Sequence, residues 1–219
     1  NTMPYFVLLW GPLAGVFVLA YLARAGGLTW RWWGLLTAGL VVLGVWGLSS
    51  YSLIGDLALQ AQYLILAAMH LPVLAWTLVG VGLLGGFGSA HSRFAFLLKS
   101  LELYILGGLF LSALGVLTMV TFGLFGALGV DLPVVAQRLL LAGGAGMVPV
   151  LAVAVGYDAA HSPADQSFDS GLGRLLALLL RIFLPLTLLV LIVYLGFVPF
   201  FFWRPFENRD VLITYNAML

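Results

Sequence analysis

The sequence predicts an all-α fold: a polytopic integral membrane helix bundle of about six transmembrane helices, read as a fragment of a longer protein. Three observations carry this prediction. Hydrophobic residues make up 63% of the 219 positions and charged residues 8%, against roughly 25% charged in an average soluble domain. The apolar residues fall in runs beyond the roughly 18 that mark a bilayer span. The few cations and many of the indoles gather at the ends of those runs, where hydrocarbon gives way to water.

The first span is read at about residues 5–22, closed by Arg24 and Gly26. Gly11 and Gly15 form a small-xxx-small pair that lets a second helix approach closely. The second span, about 33–48, opens on Trp30, Arg31, Trp32 and Trp33, an interfacial anchor. Residues 49–62 are semi-polar, with Asp56 their only charge, and read as a loop with a short surface helix.

The third span, about 63–84, contains His70 and Pro72 and ends in Gly85, Gly86 and Gly88. His91, Ser92 and Arg93 then form a linker into residues 94–99, a segment suited to lying along the interface. The fourth span is read at about 103–128. The fifth, about 134–155, follows Asp131-Leu132-Pro133, carries Arg138 near its start and includes Gly143, Gly144, Gly146 and Pro149. Glycine and proline cost less here than in a water-soluble helix, because neighbouring helices re-satisfy the freed backbone groups.

Residues 157–173 form the longest polar loop. Within it Ser162-Pro163-Ala164-Asp165 has the form of a helix start, with a hydroxyl cap, proline at the first position and a carboxylate near the amide ends. The sixth span, about 175–202, is roughly 42 Å long at 1.5 Å per residue, so it must tilt or extend into the headgroups. A charged elbow follows, and a further helix is expected from about Val211. The chain starts at Asn1 and ends in an apolar run, so both ends are expected to be cut. All spans are assigned to one transmembrane domain.

Six spans place Arg24, Arg31, Arg93, Lys99 and Arg174 on one side, and Arg138, Arg204 and Arg209 on the other. The bias assigns the loops after spans one, three and five to the cytoplasm.

A net charge of +1 gives no reason to expect a nucleic-acid partner. The absence of cysteine removes disulfides, thiolate catalysis and cysteine-ligated metals. No phosphate-binding glycine loop, zinc-protease motif or nucleophile elbow occurs. No cofactor, metal or catalytic residue is therefore assigned. The expected partners are the lipid bilayer and other membrane helices or a second copy of the chain.

The candidate functional residues are the ionisable and amide groups within or beside the spans. His70 beside the ladder broken by Pro72 suits a proton or ion site, or a neutral histidine bonded to a neighbouring helix. Lys99 and Glu102 share a helix face at a spacing of three and read as an interfacial ion pair or the lining of a pathway. Arg138 and Arg181 are either headgroup anchors or buried charges. Asp158, His161 and Asp165 would gather on one face of a continuous helix, but Pro163 argues for a solvated loop instead. In the elbow, Arg204, Glu207, Arg209 and Asp210 sum to zero charge, and Asn208 and Asn216 add amides. That stretch reads as a salt-bridged turn into another helix, or as a polar plug.

Arg181-Ile-Phe-Leu-Pro-Leu, the apolar run to Tyr194, and Pro205-Phe-Glu-Asn-Arg-Asp-Val-Leu-Ile-x-Tyr-Asn together resemble a family of uncharacterised bacterial multi-pass membrane proteins, a domain of unknown function. The resemblance implies a bacterial inner membrane and further helices, and assigns no residue a role. The function expected first is a transport or channel-like component, motivated by His70 with Pro72, by Pro149 and by the elbow. The second is a non-catalytic scaffold that packs through glycine-rich faces. An enzyme acting on lipid ranks last.

Overall fold

A computed structural model describes residues 4–26, 28–166, 172–201 and 203. The expectations for Arg204, Glu207, Asn208, Arg209, Asp210 and Asn216, and for a helix from Val211, lie outside the described residues. Among those described, every regular element is helical. They are α1 (Tyr5–Arg24), α2 (Trp30–Leu53), α3 (Leu57–Leu83), α4 (Ala90–Ala127), α5 (Val134–Arg138), α6 (Gly144–Gly156) and α7 (Leu172–Phe201). A π turn, Leu139–Gly143, joins α5 to α6, and a 3₁₀ turn, Pro163–Asp165, lies before α7. Six of the described segments are long and apolar enough to cross a membrane, with α5 and α6 counting as one. The all-α multi-pass architecture follows.

The span boundaries shift outward from the sequence reading, and local signals explain how. Asp56 accepts hydrogen bonds from the backbone of Ala58 (2.7 Å) and Leu59 (3.4 Å), capping α3 and moving its start to Leu57. The 49–62 stretch is therefore mostly helix, interrupted only at Ile54–Asp56. Ser89 Oγ accepts from Ser92 N–H at 3.1 Å, which starts α4 at Ala90. No breaker follows before Leu103, so residues 94–99 are the first turns of a continuous 38-residue helix, not a separate interfacial piece. That helix is about 57 Å long, well beyond the hydrocarbon.

Two helices end in the same glycine cap. Gly85, at φ 62°, lets Gly86 N–H reach Val81 carbonyl at 2.9 Å and its own N–H reach Gly82 at 3.2 Å. Gly129, at φ 64°, does the same for α4, with Val130 N–H on Phe125 carbonyl at 3.0 Å. A side chain at either glycine would strain this left-handed position.

The described residues divide into two compact units. The first holds α1, α2, α3, the start of α4 through Leu106, and the chain from Pro149 onward through α6 and its loop. Here α1 packs against α2 and α3, which also pack together. The seam is built on glycine. A Cβ at Gly11 would lie 2.7 Å from Pro72 Cα and 2.8 Å from Pro72 N, and one at Gly15 would meet Leu40 at 3.1 Å. The small-residue pair read from the sequence is therefore a helix contact. Gly44 receives Leu9 and Pro12 of α1, Gly47 receives Leu71 of α3, and Tyr63 hydroxyl donates to Gly47 carbonyl at 2.9 Å. Val18, Leu19, Leu22, Leu36, Leu40 and Val79 fill the adjoining core.

The second unit holds α4 from Gly107, the chain through α5 to Val148, and α7. Phe125 sits edge-on to Tyr194 at 6.1 Å and to Phe197 at 5.6 Å, joining the end of α4 to the last turns of α7. A Cβ on Gly144 would press on Leu114 Cδ1 at 2.8 Å. The π turn immediately precedes this glycine.

Gly11→Ala tests the seam. Its Cβ would collide with backbone, which cannot swing aside as a side-chain tip can, so α1 and α3 must part at a cost of about 1–3 kcal/mol. Gly34→Ala, with nothing within 4 Å of its Cβ, should be neutral or slightly stabilising. Denaturant unfolding in mild detergent measures both. Equal stability of the two variants would exclude the close α1–α3 approach.

Candidate functional site

Side chains at one end of the first unit surround a buried lysine. On α4 the residues Ala95, Lys99, Leu103 and Leu106 are all buried, and their spacing of three or four places them on one face of the helix. Lys99 thus occupies a core position. Its side chain is 4% exposed, and its ammonium donates to Glu102 Oε2 at 2.8 Å, Glu102 being 26% exposed. The pair read as interfacial has its cation inside the protein and its carboxylate toward the outside.

Neighbouring helices complete the enclosure. Trp76 of α3 donates its indole N–H to Ser100 Oγ at 2.8 Å and stacks on Phe96, with ring centres 6.0 Å apart. Leu22 of α1, Leu83 of α3, Val153 of α6 and Tyr157 just beyond it add the remaining wall. Between them lies a cavity of about 10 Å³, room for roughly one water molecule. Lys99, Ser100, Trp76 and Tyr157 border it, but the surface facing the space is almost entirely apolar. The space is at the lower limit for one water, and a larger solute does not fit.

The loop after α6 closes this end. Tyr157 hydroxyl donates to His161 carbonyl at 3.2 Å. Gln166, buried, accepts from Asp158 N–H at 3.0 Å and donates to the carbonyls of Asp158 (2.7 Å) and His161 (3.0 Å). One amide side chain thus ties the loop together. Asp158 pairs with His161 Nδ1 at 2.9 Å, while Asp165 accepts from Ser162 hydroxyl at 2.6 Å. Asp158, His161 and Asp165 therefore form a solvated loop, and no cluster of three potential metal ligands occurs among the described residues. The Asp158 carboxyl is held below its ordinary value, first by Ala160 N–H and then by the His161 hydrogen bond. Tyr157 is the first residue past its span. Burial, reinforced by the Asp158 carboxylate, pushes its phenol up to about 12.

The other candidates lie elsewhere. His70 is exposed on α3, its Nδ1 2.8 Å from Leu66 carbonyl one turn back on the same helix. Among the described residues it bonds no neighbouring helix, and it does not line the cavity. Arg138 and Arg181 are both exposed, as expected for anchors. Gln166, Trp76 and Tyr157 were missed by sequence reasoning. A signal existed for Lys99, because the Ala95-Lys99-Leu103-Leu106 spacing marks it as a core position. Nothing in the sequence links Gln166 to the turn it staples.

No protein-family model, curated protein or solved structure matches the chain.

Two consequences are measurable. Glu102→Gln leaves a buried ammonium beside a neutral amide and should cost about 3 kcal/mol, whereas Lys99→Met leaves a partly hydrated carboxylate and should cost about 1 kcal/mol. Thermal melting in detergent gives the order, and a larger loss for Lys99→Met would refute it. The raised Tyr157 value sets the second. Its contribution to stability is complete below the ordinary value of 10.0, declines as pH rises and is gone above about 12. Tyr157→Phe should remove a phenol titrating at about 12 from the ultraviolet absorbance curve of the native protein.

Proposed function

We propose that the chain is a transport or channel-like component of a membrane, with its polar centre at the Lys99–Glu102 pair and not at His70. One observation carries the reading: an ammonium with a 4% exposed side chain beside a water-sized cavity in an apolar bundle. Ionisable groups in such surroundings are expensive and ordinarily mark an ion or proton path. The small cavity excludes bulky solutes, and the buried charge pair is what turns the reading toward protons or small ions. The bacterial inner membrane implied by the C-terminal resemblance is the setting proposed for it.

A scaffold role is the second reading, favoured by an open small-residue face. Gly108 and Gly115 of α4 have nothing within 4 Å of a built Cβ, and Ser112 between them is exposed. Another membrane helix could approach there as Pro72 approaches Gly11.

Reconstitution into vesicles loaded with a pH-sensitive dye tests the first reading. Under an imposed potential the wild type should dissipate a proton gradient. Glu102→Gln, normalised to folded protein, should reduce the rate at least about tenfold, as loss of a proton-path residue would, while His70→Ala leaves it unchanged. Wild-type vesicles as tight as empty ones would sink the proton reading. Loss of self-association or partner capture in Gly108→Leu would then support the scaffold.

A further inference from the structure

We infer that the Lys99 end of the first unit is a docking surface for acidic phospholipid headgroups. Arg24 closes α1, Arg31 opens α2 and Arg93 lies in the first turn of α4, all exposed. The packing gathers these ends: Leu22, Leu83 and Lys99 line one cavity, and a Cβ at Gly82 would meet both Leu36 and Leu28. Among the described residues, none of the three guanidiniums forms an ion pair with a carboxylate. Carboxylates lie at this end too, on α4 and on the loop after α6, each with its own partner. Glu102 holds Lys99, Asp158 holds His161, and Asp165 accepts from Ser162. The opposite connection, between α2 and α3, carries Asp56 alone, spent on capping α3. All four Lys and Arg residues of the first unit lie at the Lys99 end.

The surroundings of these arginines point to lipid as the source of the anion. Trp30 is 77% exposed, and Trp32, Trp33, Phe87 and Phe94 are exposed at the same end. Indoles favour the headgroup level, which sets the guanidiniums at phosphate depth. Arg31 lies over the Trp30 ring, 5.9 Å from its centre, holding its charge beside an interfacial anchor. A planar guanidinium binds phosphate oxygens in pairs. A surface of three such cations ringed by aromatics fits a leaflet rich in acidic lipid.

Tryptophan quenching by brominated lipid provides the test, using the whole chain in phosphatidylcholine vesicles. Brominated phosphatidylglycerol should quench more strongly than brominated phosphatidylcholine at equal content, because each arginine favours the acidic headgroup on the order of fivefold. The excess should vanish in an Arg24→Gln, Arg31→Gln, Arg93→Gln variant and persist in Arg181→Gln. Inorganic phosphate in the bath should not compete. Equal quenching of the wild type by both lipids overturns the inference, and needs no variant to fold. Competition by inorganic phosphate also overturns it, by assigning the surface to the free anion.

Discussion

The approach of α3 to α1 at Gly11 and Pro72 is the contact on which the first unit depends. Lipid offers helices no hydrophobic reason to associate, so dispersion at close range must do the work. Gly11 permits that range, and Pro72 presents a ring and no N–H donor to the seam. The register then propagates along α3. Ala75 meets Gly15, Leu71 enters the gap at Gly47, and Trp76, one turn past Pro72, is carried to Ser100 on α4. Lys99, beside Ser100, is enclosed because α3 stands where Gly11 allows it.

A lysine at that position is costly. Isolated in an apolar interior its charge would be penalised by several kcal/mol, and Glu102 offsets this only because the two groups touch. Glu102 keeps partial access to the outside, so the carboxylate retains some hydration while the ammonium retains little. The asymmetry sets the pair between the outside and the cavity lining. A packing role alone would be met more cheaply by leucine or methionine of similar volume. This is the physical ground for preferring a transport reading at Lys99 over one at His70, whose ring is satisfied within its own helix.

Much of this architecture was legible in the sequence. Apolar runs and their polar boundaries located six spans because the bilayer imposes one length on all of them. Gly11 and Gly15 announced a close contact because few other reasons place glycines four apart in an apolar helix. What failed was the reading of helix ends. The Asp56 and Ser89 caps extend α3 and α4 beyond their hydrophobic stretches, and hydropathy does not register capping. The candidate site was half visible. The Lys99–Glu102 pair followed from spacing, but its burial depends on Trp76, Leu22 and Tyr157, which are distant in sequence. Gln166 was invisible for the same reason: its three hydrogen bonds satisfy a turn whose geometry only the folded loop creates.

The α1–α3 seam constrains the transport reading. At the Lys99 end of the first unit, Ser100, Trp76 and Tyr157 border a small space whose surface is almost entirely apolar. Following α3 away from that end, the seam with α1 is occupied by Ala75 against Gly15 and then by Pro72 against Gly11. Contacts this close leave no column for water between the two helices. A path continuing along this seam would require α1 and α3 to separate, losing the dispersion that holds them. The glycines that make the unit a firm packing module thus also close that route. Under the proposed transport role, conduction through it would require helix separation, or a route from the Lys99 cavity along another face.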